Sequence, residues 1–192
     1  MHNIYKLIII IIFFFGLNIR SFGRTYSENF KSFELLSGYG QNKISGAENY
    51  DVIPLFTEFN FDLKFLHRNT QIKPKVLFHF MIEPFISIIN SPQDSIELGN
   101  NFGIKINFFT EKNFQPYIKG GIGVIYLSRR FEGQSTNLNF TEYAASGLQY
   151  FINKNNAISV EYRYRHISNC GIRHPNNGIG SDFILCGFSF IF

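Results

Sequence analysis

Three residues near the end of the 192-residue chain have the types and spacing of a nucleophilic hydrolytic site. His166 and Ser168 stand two residues apart at the end of an alternating segment, and Asp182 follows a turn rich in Gly, Asn and Pro. A serine hydroxyl is a weak nucleophile that needs an adjacent base, and the base needs an acid to orient it. We therefore predict Ser168 as the nucleophile, His166 as the general base and Asp182 as the acid.

The turn between these residues contains candidates for stabilising a tetrahedral intermediate. Attack on an ester creates an oxyanion, which requires hydrogen-bond donors where the negative charge develops. Asn169, the backbone N–H of Gly171 and Asn176 lie in a segment that its glycines and proline would fold back on itself. We predict that these three residues form the oxyanion hole or support it.

Alternation places all three predicted catalytic residues on one wall of a sheet. Side chains of a strand point alternately to opposite faces, and His166 and Ser168 continue an even-numbered set that contains Ile158, Val160, Tyr162 and Tyr164. The even-numbered residues after the turn are also mostly apolar, with Asp182 first and then Ile184, Phe188, Phe190 and Phe192. Polar groups at the rim of such an apolar wall indicate that the ligand is itself a lipid, and a lipid ester is the substrate that suits them.

The same alternation recurs along the chain and predicts an all-β protein with eight strands. The predicted strands are residues 33–40, 53–65, 76–90, 98–109, 115–130, 137–152, 157–166 and 182–192. Eight is an even number and the smallest size of outer-membrane barrels. We therefore expect an eight-stranded antiparallel transmembrane β-barrel of the outer membrane.

The connections predict how the barrel is oriented. With both termini on the periplasmic side, every second turn should be short. Residues 110–113 and 153–156 fit this well, and residues 67–74 fit less tightly. The final Phe192 follows alternating aromatic residues and resembles the signal that the outer-membrane assembly machinery recognises.

Residues 1–23 predict a signal peptide, because a lysine precedes a short apolar run and small residues follow at the cleavage spacing. The run is too short to span a membrane as a helix. We expect the protein to be exported, with residues 24–192 forming the barrel that carries the hydrolase site.

Composition agrees with this interpretation and excludes other classes of partner. The chain has 24 Phe and 10 Tyr, yet its mean hydropathy is −0.03, as expected when apolar and polar residues alternate. The net charge of +4 comes from scattered Lys and Arg, so no nucleic-acid partner is predicted. Cys170 and Cys186 have no neighbours at metal-ligand spacing, so no metal site is expected. Whether the two cysteines pair is left open.

The segment HISNCGIRHPNNG, residues 166–178, resembles the signature of the lipid A 3-O-deacylases of the PagL type, often labelled acyloxyacyl hydrolases. The resemblance is specific over residues 162–192 and implies an eight-stranded outer-membrane barrel with a Ser-His-acid triad. It implies that His166 is the base, that Ser168 is the nucleophile, and that Asn169, Gly171 and Asn176 belong to the oxyanion hole or its support. The implied substrate is the ester-linked acyl chain at position 3 of lipid A in lipopolysaccharide, hydrolysed without metal or cofactor.

The acid departs from the pattern of this family. Its members typically use glutamate, and the matching candidate here is Asp182, which is one methylene shorter. The loop before it is slightly longer than expected, which leaves Gly180 as an alternative occupant of the acid's position. Cys170 stands where a small residue such as alanine is usual, and we expect it to pack rather than to catalyse.

Two other functions fit the same sequence. In a non-enzymatic structural or adhesive barrel the loops would act, and His166 and Ser168 would be incidental. A His166–Ser168 hydrogen bond on the outer wall with Asp182 behind it would favour the hydrolase, whereas an inward His166 facing a carboxylate such as that of Glu161 would favour this alternative. A phospholipase-like esterase on the same scaffold would differ only in its substrate. The sequence also leaves open whether the barrel is a monomer or a homodimer.

Overall fold

The computed structural model of the chain is a closed antiparallel barrel of eight strands. It describes residues 29–44, 49–64, 66, 76–90, 94–110 and 112–192. The strands are β1 (Phe30–Ile44), β2 (Tyr50–Asp62), β3 (Val76–Ile89), β4 (Ser95–Phe108), β5 (Phe114–Leu127), β6 (Leu138–Asn153), β7 (Asn156–Ser168) and β8 (Ile179–Ile191). Each strand pairs with the next, and β1 pairs with β8 to close the sheet. The predicted fold class is therefore confirmed.

Alternation along each strand sorts the side chains between the interior and the outer wall. In β7 the odd-numbered residues from Ala157 to Ile167 are buried, while the even-numbered ones are exposed or half-buried. The outer wall carries large apolar side chains, such as Ile122 at 69% exposure and Val160 at 57%. The predicted faces are thus confirmed, and the molecule is polar in much of its interior and apolar outside.

Ion pairs between different strands fill the middle of the barrel. Arg163 on β7 binds Glu83 on β3 at 2.7 Å and Glu161 on its own strand at 2.8 Å. Lys119 on β5 bridges Glu161 at 2.6 Å and Glu58 on β2 at 2.5 Å. These side chains are almost completely buried, so each charge depends on its partners to offset the loss of hydration. The pairs therefore keep the inward faces of four strands in register.

An apolar cluster fills the interior at the end of the barrel where the β7–β8 loop lies. Its members are Leu36, Tyr50, Val52, Phe56, Phe85, Ile89, Ile125, Leu127, Ile167, Ile179, Phe183 and Leu185. Phe131, from the loop between β5 and β6, packs against the cluster and stacks on Tyr50 with ring centroids 4.4 Å apart. The cluster thereby fastens this loop to the barrel beside the β7–β8 loop.

The opposite end of the barrel has the short connections that the sequence predicts. Residues 109–113 join β4 to β5, and residues 154–155 join β6 to β7. Phe30 and Phe192 stack at this end with centroids 5.4 Å apart, so the sheet begins and ends there. The predicted turn at 67–74 and the predicted signal peptide lie outside the described residues. In the described part of the chain, no helix is long and apolar enough to cross a membrane.

We predict that Glu83→Gln destabilises the barrel by about 3–5 kcal/mol, because it leaves the buried Arg163 without its strongest partner. Lys43→Gln is the matched control, since Lys43 forms an exposed pair with Asp182 at 3.3 Å, and such pairs contribute about 1 kcal/mol at most. Urea unfolding in detergent, followed by tyrosine fluorescence and gel mobility, measures both. Equal effects of the two substitutions would contradict the role given to the interior pair.

Candidate active site

His166 and Ser168 are the last two outward positions of β7, and both are half-buried. Ile167 between them and Asn169 after them are fully buried, so the strand keeps its alternation up to its end. Residues two apart on a strand have Cα atoms roughly 6–7 Å apart. The outward parity predicted for this pair is confirmed, and the two side chains are neighbours on the outer wall.

The interior alternative for His166 is not observed. Glu161 lies inside the barrel, where it pairs with Lys119 and Arg163 and accepts a hydrogen bond from the Tyr117 hydroxyl at 2.9 Å. The histidine lies on the opposite face of the same strand. The geometry expected of a non-enzymatic barrel with an inward His166 is therefore absent.

His166 has one neighbour on each adjoining strand and one in the loop. Glu142 of β6 and Gly180 of β8 lie opposite it in the two ladders. Gly178 lies against the imidazole, since a Cβ built on it would be 2.5 Å from Cε1 and 3.1 Å from Nε2. Gly178 also has a positive φ of 73°, a backbone conformation that favours glycine, and its missing side chain leaves space for the ring.

Asp182, the predicted acid, is on the outer wall but is engaged elsewhere. It lies opposite Tyr164 in the ladder, whereas Gly180 is the residue of β8 opposite His166. One carboxylate oxygen accepts a hydrogen bond from the Tyr162 hydroxyl at 2.6 Å, and the other faces Lys43 Nζ at 3.3 Å. The structure therefore places His166 and Ser168 on the same outer face of β7 but does not join Asp182 to them.

The predicted oxyanion residues bind one another and shape the start of the β7–β8 loop. The side-chain oxygen of Asn169 accepts a hydrogen bond from Gly171 N–H at 2.9 Å, and Asn169 N–H donates to Asn176 Oδ1 at 3.0 Å. The Asn169 amide also donates to the Arg173 carbonyl at 2.7 Å. Cys170 and Gly171 both have positive φ, at 54° and 76°, which makes the turn tight. These contacts support the loop, and donation to an oxyanion by the three residues stays a prediction.

A second loop, residues 128–137, braces the β7–β8 loop and was not expected from the sequence. Ser135 donates its N–H to the Pro175 carbonyl at 3.1 Å and its hydroxyl to the Arg173 carbonyl at 3.0 Å. Asn177 N–H donates to the Gly133 carbonyl at 2.9 Å. No local sequence pattern predicts contacts between segments about 40 residues apart, because such contacts depend on closure of the barrel.

Both cysteines are free and exposed, Cys170 in the loop and Cys186 on the outer wall of β8. They form no disulfide. Among the residues that the structure describes, no group of three or more His, Cys, Asp or Glu side chains could hold a metal ion.

Glu142 is the residue of this site that sequence reasoning missed. The segment of β6 reads as a mixed pattern, in which Glu142 and Gln149 have opposite parity. Gln149 is buried in the interior, whereas Glu142 is exposed on the outer wall. Its position in the alternating pattern could have predicted that Glu142 faces outward. That it lies beside His166 becomes clear only from the pairing register of β6 and β7.

Comparison with solved structures shows the same fold in proteins of low sequence identity. The chain is similar to the outer membrane enzyme PagL, with a TM-score of 0.62 and 18% identity over 80% of this chain and 97% of that one. It is also similar to Neisserial surface protein A, with a TM-score of 0.59 and 12% identity over 84% of this chain and 97% of that one.

Comparison of sequences identifies the family. A lipid A deacylase PagL of Pseudomonas aeruginosa strain PAO1 is 36% identical over 76 residues, which are 38% of this chain and 42% of that protein. The matched region thus spans less than half the length of this relative. The family model for lipid A 3-O-deacylase (PagL) matches residues 89–189, more than half of the chain. The resemblance seen in the β7–β8 segment is confirmed, and the chain belongs to the lipid A 3-O-deacylase (PagL) family.

Proposed function

We propose that the protein is an outer-membrane serine esterase that removes the ester-linked acyl chain at position 3 of lipid A. This proposal rests on the pair of His166 and Ser168 on the outer wall, at the end where the 128–137 loop contacts the β7–β8 loop. An ester held there would belong to a lipid lying beside the barrel. Membership of the deacylase family supports lipid A as that lipid.

The reaction follows from the chemistry of the pair. Ser168 Oγ attacks the ester carbonyl while His166 accepts the hydroxyl proton, and a tetrahedral oxyanion forms. The intermediate collapses as the C–O bond to the lipid alcohol breaks, and His166 returns the proton to the leaving oxygen. Water, deprotonated by the same imidazole, then hydrolyses the acyl-serine and releases the fatty acid.

The outer wall around the pair offers an apolar surface for the acyl chain. Phe140 of β6 lies opposite Ser168, and Val124 of β5 lies opposite Phe140. Tyr164 lies below His166 on the same face of β7. These exposed side chains form a surface along which an acyl chain can extend from the serine towards the middle of the wall.

The same apolar wall supports an outer-membrane location. Only a closed barrel allows strands to cross a bilayer without unpaired backbone groups, and this barrel exposes apolar side chains over much of its outer surface. With residues 1–23 as the export signal, both termini would lie in the periplasm and the site would lie in the outer leaflet. Lipid A of that leaflet would then be within reach of Ser168.

We predict that Ser168→Ala lowers acyl release from purified lipopolysaccharide by about 10³-fold or more, since it removes the nucleophile. Ser146→Ala is the matched control, because Ser146 is an outward serine of β6 that lies opposite Tyr162, away from the pair. Mass spectrometry of lipid A measures the product, and gel mobility of the folded barrel confirms that both variants fold.

Activity on different substrates distinguishes the proposed deacylase from a phospholipase-like esterase and from a non-enzymatic barrel. Release from phospholipid micelles but not from lipopolysaccharide by the wild-type protein would establish the phospholipase-like esterase. An unchanged rate in Ser168→Ala, or no release from any ester, would refute serine catalysis and favour the non-enzymatic barrel.

A second prediction concerns the glycine that lies against the base. Gly178→Ala should lower hydrolysis at least about 10-fold, because its methyl group would displace the His166 ring and a small shift of a catalytic group is costly. Gly133→Ala is the matched control, since Gly133 also has a positive φ, of 80°, and the nearest atoms to its new methyl all belong to the Asn177 side chain rather than to the histidine. Similar rates in the two variants would show that Gly178 does not position the base.

A further inference from the structure

His166 has an acid opposite it on one neighbouring strand and a glycine opposite it on the other. In the β6–β7 ladder Glu142 lies opposite His166, and in the β7–β8 ladder Gly180 does. Residues directly opposite each other in an antiparallel pair have Cβ atoms about 4.5–5.5 Å apart. The Glu142 carboxylate is therefore within hydrogen-bonding reach of the imidazole, whereas β8 offers no side chain at this height.

Glu142 stands out from the rest of its wall. Among the outward residues of β6 it is the one charged side chain, and the others are Leu138, Phe140, Ala144, Ser146, Leu148, Tyr150 and Ile152. A charged residue on the lipid face of a barrel is unfavourable in proportion to its depth. Within the described part of the chain, its carboxylate forms no ion pair and no side-chain hydrogen bond that would explain its presence.

Asp182 is less suited to orient the histidine. It lies one position further along the same face of β8, diagonal to His166 rather than opposite. Its two carboxylate oxygens already face the hydroxyl of Tyr162 and the ammonium of Lys43. An acid that must hold a ring in one orientation needs an oxygen available for that ring, and Glu142 has two.

We propose that Glu142 of β6, and not an acid of β8, is the residue that orients His166 in the proposed hydrolase. In the working enzyme one oxygen of Glu142 would accept a hydrogen bond from the imidazole N–H, so that the other ring nitrogen would face Ser168 and be free to accept its proton. When that proton arrives, the carboxylate stabilises the imidazolium and itself stays unprotonated. Glu142 is thus a positioning residue that acts through His166.

Other charged or titratable groups lie near His166 on β8, on β1 and on β7 itself. Asp182 and Lys43 lie on the β8 and β1 side, where Lys43 is opposite Gly180. Tyr164 precedes the histidine on β7 and its hydroxyl lies near Gly180, 3.2 Å from a Cβ built there. None of them stands directly opposite the imidazole as Glu142 does.

The test measures the reactivity of Ser168 without lipid A. A fluorophosphonate probe labels an activated serine by forming an Oγ–P bond and releasing fluoride, while the base takes the hydroxyl proton. We expect Glu142→Gln to slow labelling of the full-length barrel between about 10²- and 10⁴-fold, as loss of an orienting acid does elsewhere. Glu142→Asp should retain part of the rate, and Glu132→Gln, which changes an exposed acid of the 128–137 loop, should retain all of it.

The most discriminating variant moves the acid from the β6 side of His166 to the β8 side. In the double variant Glu142→Gln with Gly180→Glu, a carboxylate would face His166 from β8, and the nearest atoms to the new Cβ all belong to the Tyr164 side chain, at 3.2–3.8 Å. We expect this variant to recover at least about 10-fold of the labelling lost in Glu142→Gln. A purely structural role of Glu142 would give no such recovery.

The outcomes separate this inference from the proposed function. A normal labelling rate in Glu142→Gln, or a larger loss in Asp182→Asn than in Glu142→Gln, would overturn the role of Glu142 while serine catalysis stands. Wild-type protein that is not labelled at Ser168 would overturn the proposed function itself, and the role of Glu142 with it. Labelling that follows the expected series, together with no acyl release from lipopolysaccharide, would support Glu142 and reject only the substrate.

Discussion

The ion pairs inside the barrel are the constraint on which the rest of the structure depends. Arg163 and Arg165 of β7 are buried and bind Glu83 and Glu97 on the opposite wall. A shift of β7 by one residue would carry both guanidinium groups into the apolar outer surface, at a cost of several kcal/mol for each unpaired charge. Because successive residues alternate between faces, anchoring the arginines inside also holds His166 outside. The orientation of the proposed site is thus determined by charges that never meet the substrate.

Apolar packing and hydrogen bonding hold the loops at the end of the barrel where the proposed site lies. An apolar cluster fills the interior there, and Phe131 ties the 128–137 loop to it. That loop hydrogen-bonds the β7–β8 loop, whose first turn is organised by Asn169. Residues that alternate with the outward pair, such as Ile167, belong to the cluster itself. The packed interior therefore holds the residues next to the proposed nucleophile in place. Catalytic groups need such rigid support from the residues around them.

In the proposed site the acid of the triad comes from the strand on the other side of the histidine. A histidine on a strand has two lateral neighbours, one on each adjoining strand, and either can present a carboxylate to it. Here the β8 position is occupied by Gly180 and the β6 position by Glu142. Asp182 belongs instead to a surface cluster with Tyr162 and Lys43. The acid expected from the order of residues along the chain is then replaced, in our proposal, by one that is adjacent only across the sheet.

The barrel, its eight strands and the outward parity of His166 and Ser168 could be predicted from the sequence, because they follow from a period of two that is local to each strand. The sequence also indicated the oxyanion candidates, since Asn169, Gly171 and Asn176 share one short loop. It could not assign the neighbours of His166, since cross-strand partners depend on register and barrel closure, which set Glu142, 24 residues earlier in the chain, beside the histidine. Likewise, the capture of Asp182 by Lys43 joins residues 139 apart along the chain. These contacts become visible in the folded barrel, because hydrogen bonding between strands, not spacing along the chain, brings the groups together.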